Sequence, residues 1–317
     1  MFSVIALLLG GLLLLYKGAD WLVSGSSSLA VRSGLKPIVI GLTVVAFGTS
    51  APELFVSLTA SLAGKPDLAI SNIIGSNIAN VLLIFGVLAA IRALQLKAET
   101  VSRQIPLALL ASCLVWVLAN DRLLTGRTID RLDMIDGLIL LAFFLVFLYY
   151  VLLSAKHEWG HDGIEVRPVR VSVLLIMAGL LGLLLGGKLT VDGATDLARL
   201  FGLSERFIGL TVVAIGTSLP ELFASVMAVW RHHDDIAIGN IIGSNIFNIF
   251  WILGVSAVLR PLPVSPAVLS DIAVSAAATA LLFVFTRYGG KMLLRRWQGL
   301  ALLVAYGCYL AVSFLSR

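Results

Sequence analysis

The sequence predicts an all-α polytopic membrane protein with ten transmembrane helices in two five-helix repeats of inverted topology. Three observations carry that expectation. The 317 residues are 59% hydrophobic and only 13% charged, with a mean hydropathy of +1.01, which is too apolar for a water-soluble globule. The apolar residues fall into runs long enough to cross a bilayer, separated by short polar turns. One long stretch also occurs twice: 35 of the 61 positions from Gly34 to Leu94 are identical to those 168 residues further on. Five spans per half is an odd number, so the second copy enters the membrane from the opposite side.

Taken in order, the first span is an apolar run to Tyr16 with no basic region before it and no clear cleavage site after it, so it reads as an uncleaved span. Lys17 and Asp20 lie one helical turn apart and are expected to pair or to snorkel near the membrane face. The second span, 37–63, is broken by Pro52, and the turn at 64–67 leads directly into the third, 68–91. Spans four, 105–119, and five, 135–153, are plain apolar helices that read as scaffold. Asp130, Asp133 and Asp136 recur every three residues at the start of span five, where carboxylates suit a helix N-terminus.

Residues 156–170 form a long polar segment, read as the linker between a first repeat, 1–155, and a second, 171–317. It carries His157 and His161 beside Glu158 and Asp162. A metal site there is the sharper alternative to a solvated loop, and the same holds for His232, His233, Asp234 and Asp235. The second half repeats the plan with span six at 171–189, broken span seven at 207–230, span eight at 236–259, span nine at 267–285 and span ten at 297–314. Asp192 and Asp196 fall at the edge of span six.

The net charge of +5 does not point to nucleic acid, because the basic residues are scattered singly and form no patch with aromatics. They read as topology signals. With both termini outside, the cytoplasmic loops hold thirteen Lys and Arg against nine on the other side. Cys113 and Cys308 each lie in an apolar run and are read as packing residues, with no disulfide or metal spacing.

The chemistry concentrates in the repeated stretch. Gly41-Leu-Thr-Val-Val-Ala-Phe-Gly-Thr-Ser-Ala-Pro-Glu53 returns as Gly209-Leu-Thr-Val-Val-Ala-Ile-Gly-Thr-Ser-Leu-Pro-Glu221, and Asn72-Ile-Ile-Gly-Ser-Asn-Ile-Ala-Asn80 returns as Asn240-Ile-Ile-Gly-Ser-Asn-Ile-Phe-Asn248. An ionised carboxylate at mid-bilayer costs about 2.5 kcal/mol or more, which makes Glu53 and Glu221 functional candidates. Pro52 has no N–H and crowds the carbonyl four residues back, so the helix is expected to open near Gly48 and bare oxygens that suit hard cations. Asn72, Ser76 and Asn80, like Asn240, Ser244 and Asn248, recur every four residues on one helical stripe that can face its Thr-Ser-x-Pro-Glu segment. Any one of these polar residues can be explained as glue between membrane helices. A glutamate at two matched positions resists that explanation.

These motifs resemble the alpha repeats of the calcium/cation antiporter superfamily, most closely its bacterial and archaeal sodium/calcium exchanger branch. The likeness covers nearly the whole chain. It implies ten helices in two inverted halves in a prokaryotic plasma membrane, with Ca2+ and Na+ competing for one central set of sites. It implies ligands from the Ala46 carbonyl, Thr49, Ser50, Glu53, Ser76 and Asn80, and from the Ala214 carbonyl, Thr217, Ser218, Glu221, Ser244 and Asn248. Some relatives carry aspartate where this chain has Asn80 or Asn248. The ions are substrates, no cofactor is implied, and the expected partners are Ca2+, Na+ and the lipid bilayer, with no nucleic acid and no obligatory protein partner.

The expected activity is secondary active antiport, Na+ entering and Ca2+ leaving by alternating access. Two glutamates at one low-dielectric site need a cation to neutralise them, and an empty site would be costly to carry through an occluded state. A proton/calcium exchanger on the same fold and a cation channel are the alternatives. An enzyme with Ser50 as nucleophile is the weakest, since neither motif contains a histidine or lysine to serve as base.

Overall fold

A computed structural model describes residues 2–122, 126, 129–155, 166–201, 214–288 and 291–316. Its helices are α1 (Phe2–Arg32), α2 (Pro37–Thr49), α3 (Ala51–Leu62), α4 (Pro66–Ile91), α5 (Thr100–Leu118), α6 (Met134–Leu153), α7 (Val169–Leu200), α8 (Leu219–Trp230), α9 (Asp234–Leu259), α10 (Pro266–Arg287) and α11 (Arg296–Ser316). Prolines open α2, α3, α4, α8 and α10 from the first or second position, where a missing N–H leaves no bond unmade. Two antiparallel two-residue pairs tie loops together, Leu94–Gln95 with Leu293–Leu294 and Arg131–Leu132 with Leu262–Pro263.

Among the described residues, eight helices are long and apolar enough to cross a membrane, or nine if α2 and α3 count as a single broken span. Helix α8, with 12 residues, is shorter than a span, and the expected start of span seven lies outside the described residues, as do His157, Glu158, His161 and Asp162 of the linker. Helix α7 runs 11 residues beyond the expected end of span six, so Asp192 and Asp196 lie within it, Asp196 in an (i, i+3) ion pair with Arg199. Large apolar side chains stay exposed along α6, α7 and α11, for instance Leu145, Leu152, Leu174 and Val304. An uncovered apolar face of this kind suits lipid rather than water.

The chain divides into two compact units, one from residues 1–49, 154–241 and 307–317, the other from 50–153 and 242–306. Each unit therefore combines segments of both sequence halves. In the first, α1 and α7 meet backbone to backbone. A Cβ added to Gly18 would come within 2.7 Å of the Leu183 nitrogen, and one on Gly179 within 2.5 Å of the Leu22 nitrogen. Small residues allow this approach, which dispersion and weak backbone contacts then reward. The same unit sets α2 against the start of α9, where a Cβ on Gly41 would lie 2.6 Å from the Ile236 carbonyl.

In the second unit α3 and α4 form a hairpin, with the Ser57 hydroxyl donating to the Ala69 carbonyl at 3.1 Å. Its turn places Gly64 at φ +72, a left-handed conformation open to glycine at no steric cost. Arg260 donates to the Leu62 carbonyl at 3.2 Å, answering one of the acceptors left over at the C-terminus of α3. Phe143, Phe144 and Phe147 of α6 meet Phe247, Phe250 and Trp251 of α9.

Two expectations differ from the structure. Asp20 pairs with Arg231, at the turn after α8, and not with Lys17, whose ammonium lies over the Tyr16 ring. A local (i, i+3) pairing lost to a tertiary one. Cys113 and Cys308 are free and exposed, so they are not packing residues, because each sits on the outward face of its helix. The expected break near Gly48 is present: the helix keeps its turn through Thr49, leaves the helical path at Ser50, with φ −80 and ψ 8, and restarts at Ala51. Asp133 does cap α6: its Oδ1 accepts from the backbone N–H of Ile135 at 3.0 Å and of Asp136 at 3.4 Å.

Candidate functional site

Each repeated motif is built the same way. Helix α2 ends at Thr49, Ser50 leaves the helical path, and α3 restarts with Pro52 and Glu53 in its first turn. In the second copy Ser218 has φ −87 and ψ 3, and α8 restarts with Pro220 and Glu221 in its first turn. Both glutamates are buried, at 0% and 1% exposure. A first helical turn presents unpaired N–H groups and a positive dipole end, which is the one place in a helix that stabilises a carboxylate by itself.

In the second unit the Ser76 hydroxyl donates to Glu53 Oε1 at 3.0 Å. The Asn72 amide donates to the Glu53 carbonyl at 3.2 Å and to the Ser57 hydroxyl at 2.9 Å. In the first unit the Asn240 amide donates to the Glu221 carbonyl at 3.4 Å and to the Ser225 hydroxyl at 3.0 Å. The offset of 168 that relates the sequences thus relates the asparagine hydrogen bonds as well. Asn240 is oriented from its other end by Thr49, whose hydroxyl donates to Asn240 Oδ1 at 3.0 Å and approaches the Ala46 carbonyl at 3.4 Å. Thr49 belongs to the first copy and Asn240 to the second, so the copies interlock within this unit.

Asn80 and Asn248 each donate to an asparagine that the stripe does not include. Both lie at the start of π-helical segments, Ala79–Ile84 and Phe247–Leu253. Asn80 donates to Asn245 Oδ1 at 2.9 Å, and Asn248 donates to Asn77 Oδ1 at 2.9 Å. The reading of the stripe missed Asn77 and Asn245. The signal that finds them is their identity in both copies at the same offset of 168, within Gly-Ser-Asn-Ile. Among the described residues, the buried side-chain oxygens of Asn80 and Asn248 accept no hydrogen bond, and neither does the Ser218 hydroxyl.

Of the remaining residues, Ala46, Ser50 and Ser244 are buried, Thr217 is partly buried, and Ala214 opens the short helical turn Ala214–Gly216. Among the described residues, no group of three or more His, Cys, Asp or Glu is arranged to hold a metal ion, the turn at 232–235 included. What the motifs offer is one carboxylate apiece with hydroxyl, amide and carbonyl oxygens, the donor chemistry of hard cations.

Buried carboxylates at the start of broken helices, set among neutral oxygens inside apolar elements, define a membrane protein that handles small cations. The chain belongs to the sodium/calcium exchanger protein family, whose model matches residues 3–153 and 171–315. It is 38% identical to the putative antiporter CaxA of Alkalimonas amylolytica over 96% of this chain and 97% of that one. It is 31% identical to the sodium/calcium exchanger MaX1 of Methanosarcina acetivorans, with 97% of each covered. Among solved structures, the sodium-calcium exchanger NCX_Mj soaked with 2.5 mM Na+ and 10 mM Sr2+ matches with a TM-score of 0.84 at 35% identity over 98% of each chain. The protein is an integral membrane transporter of the exchanger class and not an enzyme.

Proposed function

We propose that the protein is a secondary active antiporter that exchanges Na+ for Ca2+ across a prokaryotic plasma membrane by alternating access, downhill Na+ entry driving Ca2+ out. The observation that carries this reading is the matched pair of buried glutamates, Glu53 and Glu221, each in the first turn of a restarted helix and each beside the same asparagine–serine arrangement. Buried charge needs counter-charge. Ca2+ supplies it in one ion and Na+ in several, whereas a protein empty of both would carry two buried carboxylates through an occluded state without a bound cation. Exchange rather than one-way passage follows from that asymmetry.

In this reading Ala46 and Ala214 offer backbone carbonyls, and Thr49, Ser50, Glu53, Ser76, Asn80, Thr217, Ser218, Glu221, Ser244 and Asn248 offer side-chain oxygens. The names of the relatives, exchangers of sodium and calcium, support this choice of ions. Na+ is favoured over H+ because each motif surrounds its glutamate with neutral oxygens and contains no histidine. The reading takes ten spans in two inverted halves, 1–155 and 171–317, a cytoplasmic linker at 156–170 and both termini outside.

The test is Ca2+ uptake by the purified protein in proteoliposomes. Accumulation is expected under an outward Na+ gradient at matched pH. Accumulation under a pH gradient alone would put a proton exchanger in its place, and flux that needs no counter-ion would make it a channel.

A further inference from the structure

An asparagine that binds a cation must present its oxygen, yet its amide ends in two groups of nearly equal size, one acceptor and one double donor. Turned the wrong way, it offers N–H groups to a positive charge. Something must choose the end, and the structure contains a device that does so.

The backbone carbonyl of Asn245 accepts from Asn77 Nδ2 at 3.1 Å. A carbonyl can only accept, so this bond fixes Asn77 with its nitrogen there and its oxygen on the other side. That oxygen accepts from Asn248 Nδ2 at 2.9 Å, which fixes Asn248 in turn and leaves Asn248 Oδ1 buried without a donor. Of these two bonds, the amide–amide one has its counterpart in the other copy. Asn80 Nδ2 donates to Asn245 Oδ1 at 2.9 Å, and Asn80 Oδ1 is likewise buried without a donor. All four side chains are at most 4% exposed. Helix-to-helix glue explains the two amide–amide bonds but gives no reason for two oxygens to stay empty, since an orphaned buried acceptor is costly.

We propose that Asn77 and Asn245 are positioning residues for cation binding, which hold the amides of Asn248 and Asn80 with oxygen, not nitrogen, turned to the ion. The inference rests on the reading of Asn80 and Asn248 as ligands. It adds that their polarity is imposed crosswise, Asn77 of the first copy setting Asn248 of the second and Asn245 of the second setting Asn80 of the first.

Equilibrium Ca2+ binding to the full-length protein in detergent, together with Na+-driven Ca2+ flux in proteoliposomes, tests this. Asn77→Leu and Asn245→Leu are each made in the wild-type chain, and then with Asn248→Asp and with Asn80→Asp. Each leucine change alone is expected to weaken Ca2+ binding about tenfold and to raise KM with a maximal rate within about twofold of wild type. Aspartate has oxygen at both ends and needs no orienting. Asn77→Leu is therefore expected to shift affinity less than about twofold when position 248 is aspartate, yet to keep its full effect when aspartate is at position 80. Asn245→Leu shows the opposite pattern. Unchanged affinity in the single variants, or an equal loss in every background, overturns the positioning role. Asn77→Ser and Asn245→Ser, too short to reach the partner amide, are read in the same way where leucine prevents folding. Wild-type protein that binds no Ca2+ would instead overturn the exchanger reading itself.

Discussion

The Ser76 hydroxyl donates to Glu53 Oε1 at 3.0 Å, joining the middle of α4 to the first turn of α3 with both groups buried. A hydrogen bond to a charged group contributes about 1.5–3 kcal/mol, so Ser76→Ala is expected to weaken Ca2+ affinity by about tenfold or somewhat more. Glu53→Gln removes the charge itself and is expected to abolish exchange, as is Glu221→Gln. Asp130 has a different task, its Oδ1 accepting from the Arg122 backbone N–H at 2.8 Å in the loop before α6. Asp130→Asn is therefore expected to transport. Vesicle Ca2+ uptake separates the variants, and strong uptake by Glu53→Gln would remove the glutamate from the site.

The broken helices and their glutamates were legible in the sequence because proline acts locally: a missing N–H and a crowded carbonyl break a helix in almost any surroundings. The contact of Asn72 and Ser76 with the Glu53 segment was legible too, since ordinary helical spacing holds as far as Ile78. It ends there. Neither residue pattern nor composition announces the π-helical segment from Ala79 or the bond from Asn80 to Asn245. Asp20 illustrates a second limit. Its nearest opposite charge in sequence is Lys17, but the fold brings Arg231 to it from 211 residues away.

Topology can be read directly. With five spans in each half and more basic residues on the cytoplasmic side, a reporter fused after Ala155 is expected inside and one at Arg317 outside. Two reporters on the same side, or the linker outside, would be incompatible with an inverted repeat entered from outside.

The ion pair between Arg231 and Asp20 fastens the turn after α8 to α1, with side-chain exposures of 40% and 24%. Solvent screens a pair this accessible, so its contribution is expected to stay below about 1 kcal/mol. Asp20→Asn should lower the melting temperature in detergent by about 2 °C or less. The exchanged pair, Asp20→Arg with Arg231→Asp, should recover most of that loss, and high salt should narrow all the differences. Additive losses in the exchanged variant would mean that the two residues stabilise the protein separately.

The same turn carries a group whose titration bears on stability. Burial holds the imidazole of His233 below its ordinary value of 6.5, the Arg231 charge pushes the same way, and Asp234 opposes them. Above pH 6.5 the residue is neutral in both the folded and unfolded chain, so it contributes nothing to the pH dependence. Below 6.5 the unfolded chain takes up a proton that the folded chain refuses, so stability falls as the pH drops and levels off once the lower, folded value is passed. His233→Gln removes that proton uptake. Its melting temperature relative to wild type is expected to rise as the buffer is taken from about pH 7.5 to about pH 5.5. A difference that stays constant over this range would show that His233 accepts its proton as readily in the folded protein as in the unfolded chain.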